Sequence, residues 1–324
     1  MLVLRFATLT GLATAASIPR PRDTAGCENP VKRLEWREMS AESQQSYINA
    51  VWCLKTKPSK LGLNSTWYDD FAYVHHKYNL IIHNVAAFLP WHRYFTQVYE
   101  NALHECGYNG AATYWDWTKD VQKLAQSPIM SSTLGIGGDG SDSRTETLRS
   151  GQTIRCVDDG PFSQLRPTYL GVNPSEYTYE EHCLFRSLID GDTPDAKVAA
   201  TAYNSTFVNQ VQSSSSFDTY HGSLEGGPHG IIHSSIGGEM NPSTSPNDPV
   251  FFLHHAQIDR LWWLWQQSDV AARQADYTGQ AAVQGSDTRV AASLDDALLM
   301  GGLAEDATVR DLMTTTSSRL CYEY

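Results

Sequence analysis

Histidines recur in this sequence at intervals that suit metal binding, in two well-separated groups. The group nearer the C terminus contains His229, His233 and His255. His229 and His233 are four residues apart, so a helix would present both imidazoles on one face, which is a common way to give a metal ion two ligands. A zinc-protease helix would carry glutamate directly after the first histidine. Gly230 stands there instead, so the hydrolytic base of such an enzyme is missing.

A third imidazole for this group comes from the aromatic segment that starts at Pro249. His254 and His255 are adjacent, and helix geometry turns neighbours by about 100°, so only one of them is expected to face the same metal. We assign that place to His255. Asp259 lies one turn further on the same face, where we expect its carboxylate to orient a ligand imidazole.

The other group contains His75, His83 and His92. His83 and His92 are nine residues apart, which would put them on opposite faces of one continuous helix. Pro90 removes this difficulty, because proline ends the preceding segment and lets a new helix begin. We therefore expect His75 on a helix that ends near Ile82, His83 on the approach to the next helix, and His92 in its first turn.

Two groups of three imidazoles, with few carboxylates or thiolates nearby, favour copper or zinc and, less strongly, iron. Three protein ligands leave open positions on each metal, which suits a small bridging ligand such as O₂. A lone histidine is more often an ordinary core residue, and we interpret four other histidines in that way: His76, His104, His182 and His221.

These histidines need helices to position them, and the apolar spacing predicts a mainly helical chain. Helices are expected over residues 34–57 (with Ser40 as the N-cap), 67–82, 91–106, 229–236, 249–267 and near 292–300. Residues 127–180 are rich in Gly, Ser, Pro and Asp and predict a long irregular region. Strand signals are few and short. The fold class is thus mainly α, in one domain with long loops.

Composition excludes several classes of function. Among 324 residues, 24 Lys and Arg face 36 Asp and Glu, giving a formal net charge of −12. An acidic chain without a Lys/Arg run is poorly suited to binding nucleic acid. No stretch approaches the roughly 20 apolar residues of a membrane helix. We therefore predict neither a nucleic-acid nor a membrane partner.

The N-terminal segment and the cysteines predict a secreted protein. Residues 1–17 have the pattern of a signal peptide, 18–26 of a short leader, and 27–324 remain as a single domain. Six scattered cysteines without a C-x-x-C motif predict disulfides, with their pairing left open. Two Asn-x-Ser/Thr triplets predict N-glycans at Asn64 and Asn204.

Several segments resemble one known family. "FLPWHR", "GGPHGIIH", "DPVFFLHHAQIDRLWWLW" and "CYEY" are similar to the tyrosinase/catechol oxidase family of type-3 copper proteins, and the likeness to short fungal polyphenol oxidases runs over nearly the whole chain after Cys27. The resemblance implies an antiparallel four-helix bundle around a binuclear copper centre. It implies that His75, His83 and His92 bind one copper ion (CuA), that His229, His233 and His255 bind the other (CuB), and that His254 is a neighbouring non-ligand.

The chain departs from some relatives in ways that carry predictions. Ile81 stands where many members have a cysteine cross-linked to a histidine, so we predict no thioether. Residues 239–250 contain no aromatic residue that could cover CuA. The sequence ends at Tyr324, directly after a Tyr-x-Tyr motif, so we expect no C-terminal shielding domain. Arg33 and Arg93 are expected to pair with the terminal tyrosines or nearby acids.

The resemblance also implies the activity: O₂-dependent oxidation of small phenols, with o-diphenols or related o-aminophenols leaving as o-quinone products. Glu225 is a candidate for a water-holding glutamate, although a purely structural hydrogen bond would also explain it. Gly230, next to His229, has no side chain to polarise that water, so we favour diphenol oxidation. Ser234 is a candidate contact for substrate. The alternatives are a true tyrosinase with substantial monophenol hydroxylation, a non-catalytic O₂-binding copper protein and a dizinc hydrolase.

Overall fold

The structure, a computed structural model, describes residues 27–324. The predicted signal peptide (1–17) and leader (18–26) lie outside the described residues. The helices are α1 (Ala41–Thr56), α2 (Trp67–Ile82), α3 (Phe88–His104), α4 (Pro194–Tyr203), α5 (Ser205–Gln212), α6 (Phe217–Leu224), α7 (Gly230–Ile236), α8 (Val250–Ser268) and α9 (Val270–Arg273), with a π-helical turn over Glu225–His229 between α6 and α7. The predicted fold class, mainly helical with few short strands, is confirmed.

The residues at the N-termini of α2 and α3 favour the start of a helix. Thr66 caps α2 in a capping box with Asp69, so two backbone N–H groups at the helix start are satisfied. Helix α3 begins at Phe88, three residues earlier than predicted, and Pro90 lies inside its first turn. Proline is tolerated there because the first-turn N–H groups have no intrahelical acceptor. The predicted break before His92 is present, between α2 and α3.

An aromatic cluster holds α2, α3 and α8 together. Tyr99 of α3 stacks on Phe252 of α8 with ring centroids 3.4 Å apart. Phe71 of α2 places its ring edge-on against both, at 5.2 Å from Tyr99 and 5.6 Å from Phe252. All three side chains are buried. Edge-to-face and stacked pairs add specific geometry to their apolar burial, so the three helices have a defined packing.

Among residues 27–324, ten short strands form five two-stranded pairs. They are β1 (Val31–Lys32), β2 (Gly140–Thr147), β3 (Thr153–Val157), β4 (Tyr169–Asn173), β5 (Glu176–Tyr179), β6 (Gln280–Ala282), β7 (Arg289–Ala291), β8 (Ala297–Leu298), β9 (Ala307–Thr308) and β10 (Tyr322–Glu323). The region 127–180, predicted to be irregular, contains the hairpins β2–β3 and β4–β5. Strand β1 pairs in parallel with β10, so the two ends of the described chain lie side by side.

All six cysteines form disulfides, as the sequence predicts, and the structure supplies the pairing: Cys27–Cys321, Cys53–Cys106 and Cys156–Cys183. Within residues 27–324, no helix combines the length and the apolar character that crossing a membrane requires.

The predicted helix near 292–300 is wrong. That segment contains β8, whose Ala297 and Leu298 pair with β9. Ser293 and Asp296 close a local turn just before the strand, and Leu298 is buried. Tertiary pairing here overrides the helix preference of the Ala- and Leu-rich sequence. Helices α4 to α6 were not predicted; each is only eight to ten residues long, and in α5 and α6 polar residues interrupt the apolar ones.

Candidate metal centre

The structure gathers the predicted histidines into two adjacent clusters. In the first, one ring nitrogen from each of His75, His83 and His92 lies within 4.8 Å of the others. The second cluster holds His229, His233 and His255 within the same limit, together with His254. The clusters touch: the rings of His92 and His255 stack with centroids 4.3 Å apart.

Four helices surround these clusters. His75 lies in the middle of α2, His83 directly follows α2, and His92 lies in α3. His233 lies on α7 and His255 on α8.

His229 ends the π-helical turn that leads into α7. Gly227 breaks the helical backbone within this turn, and a Cβ there would stand 2.9 Å from the Phe207 ring, so the turn needs glycine. The rings of His229 and His233 have centroids 4.5 Å apart, which agrees with the four-residue spacing on a helical face.

Backbone carbonyls fix the orientation of five of the six predicted ligands. Their Nδ1 atoms lie within hydrogen-bond distance of carbonyl oxygens, which can only accept: His75 with Ser243 (2.6 Å), His83 with Asn79 (3.1 Å), His92 with Phe88 (2.8 Å), His229 with Glu225 (3.1 Å) and His233 with Met240 (2.6 Å). Nδ1 therefore carries the proton, and Nε2 of each neutral ring presents a lone pair.

The Nε2 atoms fit a bound cation. Nε2 of His75 and Nε2 of His92 face each other at 3.2 Å, and both rings hold their proton on Nδ1. Two facing lone pairs repel unless a cation lies between them. Nε2 of His229 is buried and has no hydrogen-bond partner among the described residues. A metal ion would satisfy these atoms, which an ordinary histidine core would leave unpaired.

Electrostatics keep the imidazoles neutral, as metal ligands must be. Burial lowers the pKa of His83 and of His233 to about 4. Burial also lowers the pKa of the other four predicted ligands well below the ordinary value. Six neutral imidazoles without a carboxylate or thiolate ligand form a donor set that suits copper.

The second cluster also contains His254. It is fully buried, and neither ring nitrogen has a hydrogen-bond partner among the described residues. Its ring stacks on His229 with centroids 5.4 Å apart. The expectation that His254 is a non-ligand stays a prediction, although its ring belongs to the same cluster.

One cavity of about 640 Å³ opens onto both clusters, and His75, His83, His229 and His233 all line it. Its outer wall comes from the β4–β5 hairpin, at residues 171–174, and from residues 241–243 and 245. Residues 239–250 have no aromatic side chain that could cover it. Gly230, which is half-buried, and Ser234, which is exposed, also line the cavity. The Ser234 hydroxyl lies within hydrogen-bond distance of two carbonyls of its own helix.

Glu225 lies on the same cavity and is largely buried. Its Oε1 accepts a hydrogen bond of 2.7 Å from the backbone N–H of Asn84. Asn84 follows His83 and has a positive φ of 55°. The structural hydrogen bond that would also explain Glu225 is therefore present. Burial raises the pKa of Glu225 to about 8, despite that hydrogen bond.

Asp259 has other partners than the imidazole expected from the sequence. Its carboxylate accepts from Arg93, Arg33, Tyr322 and Tyr324. The side chain points toward β1 and β10 rather than along α8 toward His255, whose Nδ1 has no partner among the described residues. Arg33 does pair with Tyr324 and with this acid, and Arg93 pairs with this acid, as predicted.

Sequence reasoning missed the groups that orient the imidazoles, because they are backbone atoms. The carbonyls of Met240 and Ser243 carry no signal in residue type. The hairpin wall at residues 171–174 was hidden within the predicted irregular region.

Comparisons with known proteins agree with this geometry. A family model described as the common central domain of tyrosinase matches residues 65–268. The tyrosinase-like protein phomQ2 of Diaporthe leptostromiformis is 40% identical over 302 residues, which cover 93% of this chain and 74% of that protein. The tyrosinase ustQ of Aspergillus flavus is 38% identical over 317 residues, covering 98% and 84%.

A more distant relative and a solved structure extend the comparison. The N-acetyl-6-hydroxytryptophan oxidase ivoB of Emericella nidulans is 30% identical over 372 aligned positions, covering 98% of both chains. A glycine-to-asparagine variant of a polyphenol oxidase from Thermothelomyces thermophila has a similar structure, with a TM-score of 0.77 and 31% identity over 91% of this chain and 88% of that one.

Proposed function

This chain belongs to the tyrosinase family of binuclear copper oxidoreductases, and we propose that within this family it oxidises o-diphenols to o-quinones. The observation that carries the proposal is a cavity onto which both histidine clusters open, with glycine at the position after His229. His75, His83 and His92 would hold one copper ion, and His229, His233 and His255 the other.

The metals would supply the redox chemistry: when bound, the copper pair lets O₂ accept four electrons and four protons from two diphenols, giving two quinones and two waters. The protein holds the geometry. Hydrogen bonds from Nδ1 to carbonyl oxygens prevent five of the rings from rotating, so their Nε2 atoms stay aimed at the metal positions.

The cavity supports a small planar substrate. Its outer wall combines backbone, prolines, Val172 and small polar side chains, and Glu225 is the acidic residue among its lining. A diphenol ring can approach the imidazoles of both clusters without displacing a bulky side chain, because no aromatic residue from 239–250 covers them. Ser234 lies at the rim of this space, where we propose that it contacts substrate.

Diphenol preference rests on Glu225 and Gly230. A monophenol must lose its only phenolic proton before it is hydroxylated, which calls for a base or an activated water near the metals. Oε1 of Glu225 is occupied by the Asn84 N–H, which leaves Oε2 to hold a water. Gly230 offers no side chain to polarise that water, so proton removal is the weak step for monophenols.

An activity panel tests the proposal. Copper-loaded protein is assayed with catechol, tyrosol, tyrosine and 2-aminophenol, and quinone colour and O₂ consumption are recorded together with any lag phase. We expect fast turnover of catechol and slow turnover of tyrosol and tyrosine. Efficient tyrosine hydroxylation would instead favour a true tyrosinase, and bound copper without any turnover would favour an O₂-binding protein.

We also propose that the protein is secreted, with N-glycans at Asn64 and Asn204 and one catalytic domain over residues 27–324. Three disulfides support export to an oxidising compartment. A hydrophobic core that runs from Trp36 to Tyr322 supports a single domain. Mass spectrometry of the protein purified from culture medium, before and after deglycosylation, tests the N-terminus and both glycan positions.

A further inference from the structure

One loop holds a histidine from each cluster. Residues 237–248, between α7 and α8, are called the bridging loop below. The Met240 carbonyl accepts from His233 at 2.6 Å, and the Ser243 carbonyl accepts from His75 at 2.6 Å. The other three oriented histidines each contact a carbonyl four residues before them. His75 and His233 therefore depend on the same outside segment, whereas the others depend on their own turns.

A short segment anchors both ends of the bridging loop. Near the start of the loop, the Glu239 N–H donates to the Phe185 carbonyl at 3.1 Å, and the Glu239 carboxylate accepts from the ring of His182. At its end, Asp248 accepts from Arg186 in two bonds of 2.7 and 2.9 Å. Residues 182–186 thus hold the loop at two points, and the Cys156–Cys183 disulfide fixes that segment in turn.

Glu239 also closes the loop on itself. Its side chain is fully buried, and Oε2 accepts from the Asn247 amide at 3.0 Å. The same amide nitrogen donates to the Tyr169 carbonyl of β4 at 2.6 Å. A single carboxylate therefore links residue 239 to residue 247, across the stretch that supplies both carbonyls.

The His182 ring carries a positive charge in this arrangement. Its Nδ1 faces the Glu180 carbonyl at 2.6 Å, and its Nε2 faces the Glu239 carboxylate. Both neighbours can only accept, so both ring nitrogens must hold protons. Removing either member of such a buried pair leaves the other charge uncompensated.

We propose that the buried pair of His182 and Glu239 is a positioning device that sets the spacing of the two metal positions through the bridging loop. The inference rests on the proposed binuclear copper function. A shift of the loop moves the carbonyl partners of both His75 and His233. One Nε2 atom in each cluster then moves relative to the Nε2 atoms of the three histidines that are oriented by carbonyls four residues before them.

Glu239→Gln tests this with little change in shape. The new amide has one acceptor oxygen where the carboxylate had two. If that oxygen accepts from His182, the NH₂ group meets the NH₂ group of Asn247, which already donates to Tyr169, and the closure of the loop opens. If it accepts from Asn247, the NH₂ group meets Nε2 of His182, which must give up its proton, and the charged pair is lost. The matched control is Glu35→Gln, which also neutralises a fully buried carboxylate, one that pairs with Arg37 away from the histidines.

The readouts are copper content, copper affinity by competition with a chelator, and the EPR spectrum of the Cu(II) protein. Two Cu(II) ions close enough to share a bridging ligand couple their spins and give no EPR signal, whereas separated ions each give one. We expect wild type and Glu35→Gln to bind two copper ions and to be EPR-silent. We expect Glu239→Gln to show EPR-visible Cu(II) and about 10-fold weaker copper binding or worse.

Each outcome decides one question. A Glu239→Gln protein that is EPR-silent with unchanged affinity overturns the positioning role, and so does an equal effect in Glu35→Gln. If Glu239→Gln does not fold, Asn247→Ala tests the link through which the pair would hold the loop, because it removes the amide that binds the Glu239 carboxylate and leaves the ion pair intact. An EPR-silent Asn247→Ala protein with unchanged affinity likewise overturns the positioning role. A wild-type protein that fails to bind two coupled copper ions would refute the proposed function instead.

Discussion

Replacing Asp259 by asparagine separates a structural role of this carboxylate from the orienting role expected of it. Asp259 is buried and accepts from two buried arginines and two tyrosines. Burial raises the pKa of the Asp259 carboxyl, but the charges of Arg93 and Arg33 outweigh burial and hold the pKa below its ordinary value. The carboxylate is therefore ionised, and asparagine removes a charge that the arginines need.

The loss of stability in Asp259→Asn depends on whether each arginine still has a carboxylate partner. Arg33 retains Glu100 at 2.8 Å, whereas Arg93 retains only the Gln266 side chain and backbone carbonyls. Stranding one buried charge costs about 3–5 kcal/mol. For a chain of this size, about 2 °C of melting temperature corresponds to 1 kcal/mol, so we expect a loss of about 6–10 °C.

Thermal unfolding followed by circular dichroism, with the disulfides intact, measures the effect. The matched control is Asp295→Asn, which breaks the exposed pair with Arg310 and should cost less than about 1 kcal/mol. Copper content and catechol turnover at 25 °C should change little in both variants, because the Asp259 carboxylate contacts no histidine. An unchanged melting temperature of Asp259→Asn would refute the ion-pair reasoning. Loss of copper at an unchanged melting temperature would instead support the sequence-based expectation that Asp259 orients a ligand imidazole.

Three further outcomes are expected. Gly230→Asn should raise the rate of tyrosol hydroxylation relative to that of catechol oxidation. The new Cβ would lie 3.3 Å from the Glu225 carbonyl oxygen, which must shift slightly. The control is Gly226→Asn on the same cavity, which should leave the ratio of the two rates unchanged. Burial lowers the pKa of His182, but Glu239 outweighs it and raises that pKa to about 9. The charged pair then stabilises the fold by about 3 kcal/mol below pH 6.5, and this stabilisation is lost as pH rises through about 9. The urea midpoint of wild type should therefore fall over this pH range by more than that of His182→Gln. Removing the Cys27–Cys321 disulfide should lower the free energy of unfolding, measured in urea, by about 2 kcal/mol more than removing Cys156–Cys183, because the two bonds close loops of 294 and 27 residues. Equal losses would count against the chain-entropy account.

Sequence reasoning predicted the parts of the centre that depend on local periodicity. The bounds of α2 and the shared face of His229 and His233 follow from helix spacing alone. Pro90 correctly separated two helices, although α3 begins before it because proline is tolerated in a first turn. Three disulfides were expected from an even cysteine count, but their pairing depends on which distant segments meet.

The remaining features depend on long-range packing. Asp259 satisfies the spacing rule for an imidazole partner, yet two arginines from other segments are stronger partners for a buried carboxylate. The Met240 and Ser243 carbonyls act through backbone atoms that every residue has. Strand β8 exists because β9 lies beside it, so no window around residues 292–300 could have revealed it.

The Cys27–Cys321 disulfide has a topological consequence for the active centre. The disulfide alone closes almost the entire described chain into a covalent ring that includes every histidine of both clusters, and the β1–β10 pairing lies beside the closing bond. A single proteolytic cut in an exposed turn, such as the one at residues 149–152, converts the ring into a line without releasing a fragment. The two halves of the metal centre therefore remain parts of one molecule after nicking, until a reductant opens the bond.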